Sequence, residues 1–257
     1  ITALQYSSNV YMAQIALRMG GYWNYQQDQG VPIDYVDTVD KMRRYYRQFG
    51  LGSETGIDLP SEATGQKSTP DNAGQAMFLA FGQFDTYTPL QLAQYSATIA
   101  NGGTRFAPQL VSEIRETNQD TGEVGSLVKE IEPKIMNTID ISSNLMERVQ
   151  QGMYQVVNGN YGFVPGIFNS APYVSAGKTG TAQASYWGEN KSRQGESVTN
   201  ITYVGYAPYD DPEIAIAVVV PYLPNQNTGT VHVDTSRKIF DAHFEVGDYK
   251  NDEPTTD

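Results

Sequence analysis

Three strand-length segments crowd the last third of this chain: Tyr173–Ala184, Val198–Ala207 and Glu213–Val220. The second and third are joined only by Pro208–Pro212, a turn-rich link that favours an antiparallel return, since a parallel crossover needs about a dozen residues or more. Such a segment commits the chain to an antiparallel meander, whose faces must then be covered by apolar helices. One cover follows directly: Asp234 or Thr235 is expected to cap a terminal helix carrying Ile239, Phe240 and Phe244. The longest apolar run, Ile214 to Val220, is strand-sized and far short of the ~20 residues that span a bilayer. The first residues carry no signal-peptide pattern.

Upstream the periodicity is helical. Val10 to Met19 is apolar almost all round, which predicts a largely buried helix ending at Gly20-Gly21. The stretch from Tyr22 to Arg47 predicts a helix only toward Val39–Arg47, and Gly50 to Gly74 reads as loops. Thr88-Pro89-Leu90-Gln91 is a capping box with proline at the first helical position, and Asn101-Gly102-Gly103 stops that helix. Val111–Glu116 and Val124–Lys129 predict a hairpin. Leu145, Val149, Met153 and Val156 mark an amphipathic helix stopped at Asn158-Gly159. The fold class is α+β: an antiparallel sheet flanked by helices, with a mostly helical region beside it.

Charge narrows the partners. Twenty-nine acidic against 17 basic residues give a net charge of −12, a poor match for nucleic acid. Without cysteine there is no disulfide or thiolate chemistry. The only histidines, His232 and His243, have no second His or Cys near them, so neither a metal nor another cofactor is expected.

Two short motifs remain, Ser7-Ser8-Asn9 and Lys178-Thr179-Gly180-Thr181. An S-x-N triplet commonly caps a helix, and a lysine on an edge strand commonly discourages aggregation. Together they fit acyl transfer through a serine, whose hydroxyl needs a neighbouring base to become a nucleophile. A second hydroxyl, Ser7, can relay a proton to a leaving amine, and the Asn9 amide can hold an acyl peptide. Lys178 with Thr179 and Thr181 can bind a substrate carboxylate through charge-assisted hydrogen bonds. Gly180 lets substrate approach the strand backbone, and the Thr181 N–H can stabilise an oxyanion.

S-x-x-K, S-D-N and K-T-G form the motif set of penicillin-binding proteins and β-lactamases. The chain resembles a class B penicillin-binding protein of Gram-positive type over nearly its whole length. The resemblance is also carried by Phe49-Gly50-Leu51-Gly52, Gly56-Ile57-Asp58-Leu59-Pro60, Phe81-Gly82-Gln83, Thr88–Ala93, Ile99–Gly103 and Gly177–Gln183. It implies a penicillin-recognising serine enzyme fold, with residues 1–246 the C-terminal portion of a transpeptidase domain and 247–257 a polar tail. Within it lie a helical region with the S-x-N motif (1–105), a hairpin and helix (106–160), and the K-T-G strands with the last helix (170–246).

The implied activity is peptidoglycan D,D-transpeptidation, with stem peptides and β-lactams as ligands and the cell-wall synthesis machinery as partner. The implied place is the outer face of the bacterial membrane, anchored by a segment outside this chain. A β-lactam sensor or a D,D-carboxypeptidase of the same fold are the alternatives. No S-x-x-K precedes Ser7, so the nucleophile and its base are expected in the missing N-terminal part of the same protein, and this chain alone is expected to be inactive.

Other matches are decoys. Ser142-Ser143-Asn144 precedes an amphipathic helix and is expected to be a plain cap. Ser126-Leu127-Val128-Lys129 lies on a hairpin strand, where its serine and lysine point to opposite faces. Ser175-Ala176-Gly177-Lys178 merely overlaps the K-T-G strand. Gly177-Lys178-Thr179 lacks the glycine a phosphate-binding loop needs at Pro172. Tyr22-Trp23-Asn24 imitates a Y-x-N motif out of order, and His243 is expected to pack.

Overall fold

The computed structural model describes residues 1–26, 28–224 and 229–250. Strands β5 (Ala176–Ser185), β6 (Ser197–Ala207) and β7 (Ile214–Pro224) form an antiparallel sheet in the order β5-β6-β7. The β5–β6 ladder runs without a register shift from Ala176 opposite Tyr206 to Ser185 opposite Ser197. β7 continues beyond the expected Val220, with Leu223 and Pro224 paired to Thr199 and Val198 after a bulge.

Helices cover both faces. On one side α7 (Val164–Phe168) and α8 (Val231–His243) bring Phe168, Val233 and Phe240 onto Tyr203, Ala207 and Ile216. On the other, α5 (Pro89–Ala100) and α6 (Ser143–Asn158) set Ile99, Met146 and Met153 against Ala176 and Tyr206. Of the stripe expected on α6, Met153 and Val156 are buried and Val149 packs against the core, but Leu145 is exposed and Met146 and Val157 complete the buried seam in its place. The α5 capping box forms: Gln91 N–H donates to Thr88 Oγ1 at 3.2 Å, and Thr88 N–H donates to Gln91 Oε1 at 2.9 Å.

A third cluster joins α2 (Asn9–Met19), α3 (Tyr35–Gln48) and α4 (Ala73–Leu79) through Ala16, Val39, Met42, Ala76 and Leu79. Here the burial pattern corrects the sequence expectation for α2. It ends at Gly20 as predicted, but only Ala16 and Leu17 are buried, and Val10 is 74% exposed. The helix packs chiefly on α3 and α4, and its other face keeps apolar residues such as Val10 and Tyr11 in view. α3 starts earlier than Val39, because the Asp34 side chain accepts from Asp37 N–H at 3.0 Å and caps it. α4, inside and beyond the expected loop, is capped likewise by Asn72.

The remaining elements are small. β2 (Glu113–Thr117) and β3 (Val124–Glu130) make the expected hairpin, whose β2 is exposed throughout. β1 (Thr104–Phe106) pairs with β4 (Ile135–Thr138), two strands too short to read from sequence. α8 begins at Val231 rather than after Asp234; Asp234 lies in its first turn and accepts from Thr230 Oγ1 at 2.6 Å, where a carboxylate meets the positive helix end. Ser142 stands at the N-cap of α6 without a side-chain bond; its carbonyl, not its hydroxyl, accepts from Leu145 and Met146. Among the described residues no helix is long and apolar enough to cross a membrane, and no three His, Cys, Asp or Glu side chains cluster to hold a metal ion.

Candidate active site

Lys178 sits near the start of β5, opposite Val204, on the sheet face that α5 and α6 cover. The strand can lie this flat because Gly177 has no side chain: a Cβ there would run into the hydroxyl of Tyr203, which is fully buried. Gly180 is held to glycine in the same way by Thr202 across the ladder. Its absent side chain is thus required by the cross-strand neighbour, before any question of substrate approach.

Ser7 arrives from the other end of the chain. α1 (Thr2–Gln5) rests on α6, with Leu4 over Gly152; a Cβ at Gly152 would meet Leu4 Cδ1 at 2.5 Å. Next to it Tyr6 and Tyr161 place their rings 4.3 Å apart. The backbone then turns through Ser7 with φ of 50°, a left-handed conformation uncommon outside glycine, and enters α2. Ser8 caps that helix, accepting from Tyr11 N–H at 3.2 Å. The two readings of the triplet therefore fall on different serines. Ser8 does the capping, which leaves the Ser7 hydroxyl to face the sheet.

Lys178 Nζ donates to Ser7 Oγ at 2.9 Å, bridging 171 positions of sequence, and to the Thr179 carbonyl at 2.7 Å. Burial pushes the Lys178 ammonium down from its ordinary range to about 8. At pH 7 the cation persists; it is lost as pH rises through about 8. Beneath it lies a cavity of about 200 Å³ walled by Leu92, Tyr95, Val149, Met153 and Val204. Larger clefts, of about 420 Å³ beside Tyr173 and Phe244 and about 510 Å³ beside Asp234, contain neither Ser7 nor Lys178. The chemistry of the residues, rather than the size of a cleft, marks this place.

The other candidates surround this pair. Asn9 is exposed in the first turn of α2, Thr179 is half-buried and Thr181 exposed. Lys178 and Thr179 alternate across the pleat. β5 ends the described three-stranded sheet, so a ligand running along its free edge reaches residues of both parities. Three contributors went unnoticed in the sequence. Leu4 on Gly152 and Tyr6 on Tyr161 hold the elbow, and Thr202 faces Gly180. None has a local signature, since each pair meets only after α6 and β6 are in place.

The decoys lie apart. Ser126 Oγ donates to Glu116 on the hairpin, at 2.7 Å. Trp23 is exposed beneath the Arg18 guanidinium, and His243 meets Phe244 edge-on while standing 3.7 Å from Glu213.

The family model for the penicillin binding protein transpeptidase domain matches residues 2–241. Penicillin-binding protein 2A of Bacillus subtilis (strain 168) is 44% identical over 256 residues, which cover 99% of this chain and 35% of the relative. The peptidoglycan D,D-transpeptidase MrdA of Escherichia coli (strain K12) is 29% identical over 238 residues, 86% of this chain and 36% of that protein. Among solved structures, penicillin-binding protein 2B of Streptococcus pneumoniae (strain R6) superposes with a TM-score of 0.81 at 41% identity, covering 93% of this chain and 38% of that one. The chain thus spans about a third of the length of the proteins it matches.

Proposed function

Because the chain belongs to the penicillin-binding protein transpeptidase domain family, we propose that it carries the acid–base and substrate-binding half of a peptidoglycan D,D-transpeptidase. Residues 1–246 are one portion of that domain; of the polar tail expected over 247–257, residues 251–257 lie outside the described residues. The nucleophilic serine and its lysine base belong to a part of the protein outside these residues. Stem peptides ending in D-Ala-D-Ala are the donor, and β-lactams bind as their mimics. Cell-wall synthesis proteins at the outer face of the membrane are the neighbours.

The single observation that supports this reading most is the Lys178–Ser7 hydrogen bond of 2.9 Å, made by the two motifs that acyl transfer requires together. In the proposed cycle the Ser7 hydroxyl passes a proton to the leaving amine, and the cation beside it favours that transfer by stabilising the oxygen as it gives up its proton. The ammonium of Lys178, with the Thr179 and Thr181 hydroxyls, holds the donor carboxylate. Asn9 positions the acyl peptide, and the Thr181 N–H stabilises the tetrahedral oxyanion.

The test is acylation of the full-length protein by a fluorescent penicillin. Lys178→Ala should slow it about tenfold or more, the worth of a lost charge-assisted bond. The wild-type rate should also fall as pH rises through about 8, because the carboxylate loses its cation there. Equal rates for wild type and Lys178→Ala would remove the assigned role.

A further inference from the structure

The far end of β5 carries a second feature. Resting on the transpeptidase reading above, we propose that Trp187, near the start of the β5–β6 connection, is a stacking platform for a sugar ring of the glycan that bears the donor stem peptide. Trp187 is 70% exposed, while the loop that presents it is closely tied. Tyr186 N–H donates to the Glu196 carbonyl at 2.9 Å, and Gly195 N–H donates to the Tyr186 carbonyl at 2.9 Å. Arg193 bonds Glu196 and lies over the Tyr186 ring, 4.7 Å from its centroid. Tyr222 abuts that ring edge-on at 4.9 Å, and its own N–H donates to Asn200 Oδ1 at 2.9 Å. Gly188 is required for the loop to fold back, since a Cβ there would lie 2.5 Å from the Tyr186 hydroxyl. The ordering cost of the loop is thus met before any ligand arrives, which is the condition under which an exposed aromatic side chain binds well.

Direction and reach select the occupant. The start of β5 is closed: Ser175, Ala176 and Gly177 are buried. Toward the other end Thr181, Gln183 and Ser185 are exposed, and Trp187 continues that series. A donor whose carboxylate sits at Lys178 can therefore extend along the edge only toward Trp187. From Lys178 to Trp187 the strand covers roughly 30 Å at about 3.3 Å per residue. An extended pentapeptide covers roughly 17 Å by the same measure, so with its carboxylate at Lys178 its first residue falls short of the loop and what lies beyond it is carbohydrate. A pyranose offers an apolar C–H face to an indole, whose electron-rich face attracts it.

The experiment uses full-length protein and two donors with the same stem pentapeptide, one free and one linked to its N-acetylglucosamine–N-acetylmuramic acid disaccharide. Trp187→Ala should lower kcat/KM about five- to tenfold on the disaccharide-linked donor and less than about twofold on the free peptide. Trp187→Phe should restore most of the loss. Saturation-transfer NMR with the peptide-free disaccharide supplies a readout independent of turnover, and Trp187→Ala should abolish the transfer. Equal losses on both donors, or unchanged saturation transfer in the variant, overturn the proposal. Failure of the transpeptidase reading would instead show as penicillin acylation that is indifferent to Lys178→Ala.

Discussion

Ser7 and Lys178 face each other across 2.9 Å, yet the molecule holds them in opposite ways. Lys178 is one rung of a ladder without register shift, backed by Tyr203 and Tyr206, both fully buried. Moving it means moving a strand. Ser7 stands exposed at an elbow with a left-handed backbone, and its position depends on Leu4 over Gly152 and on the Tyr6–Tyr161 ring pair. α6 touches both carriers, packing against β5 along one face and receiving α1 on another. The sheet therefore sets where the charge is, and α6 sets how far the hydroxyl stands from it. A site built this way keeps its charge fixed while its hydroxyl arm remains sensitive to small packing changes.

The rigid half should break hardest. Gly177→Ala places a methyl group against the hydroxyl of a Tyr203 that has no room to retreat, so the stability cost is expected to be about 1–3 kcal/mol. Thermal unfolding measures it, and an unchanged midpoint would mean that the ladder yields more easily than its packing implies.

Gly152→Ala sharpens the contrast, because it should separate stability from function. The added methyl group improves helix propensity by up to about 1 kcal/mol and pushes Leu4 outward, so the net change in stability should be small. Displacing the elbow by an ångström or so should nonetheless slow penicillin acylation of the full-length protein, by about tenfold. Acylation at the wild-type rate would show that Ser7 is placed by something other than this contact.

The smallest effect belongs to the imitation of the motif. Ser142 heads α6, but its hydroxyl makes no bond to the first turn, so Ser142→Ala should cost less than about 0.5 kcal/mol. Thr88→Ala, which removes a working capping box, should cost about 1 kcal/mol. Urea unfolding of the two variants side by side checks the order; a larger loss at Ser142 would reverse it.

What the amino-acid sequence determined on its own is local. The α5 capping box, the β2–β3 hairpin, the α6 helix and the three strands of the main sheet all follow from residues a few positions apart. Caps, turns and pleat periodicity are satisfied within one segment whatever surrounds it. The two site motifs were legible for the same reason, as short strings with a known chemistry.

Tertiary structure decided everything that needed a second segment. It put Lys178 against Ser7, divided the S-x-N triplet into a capping Ser8 and a Ser7 that accepts from Lys178, and made Gly152 the seat of Leu4. It also left Val10 in solvent on a helix whose composition promised burial, because burial depends on what covers a face and not on how apolar the face is. β1 and β4 escaped notice for a related reason. A strand of three or four residues, such as Thr104–Phe106, has too little alternation to register, and it becomes a strand only when Thr138 and Asn137 arrive to pair with it.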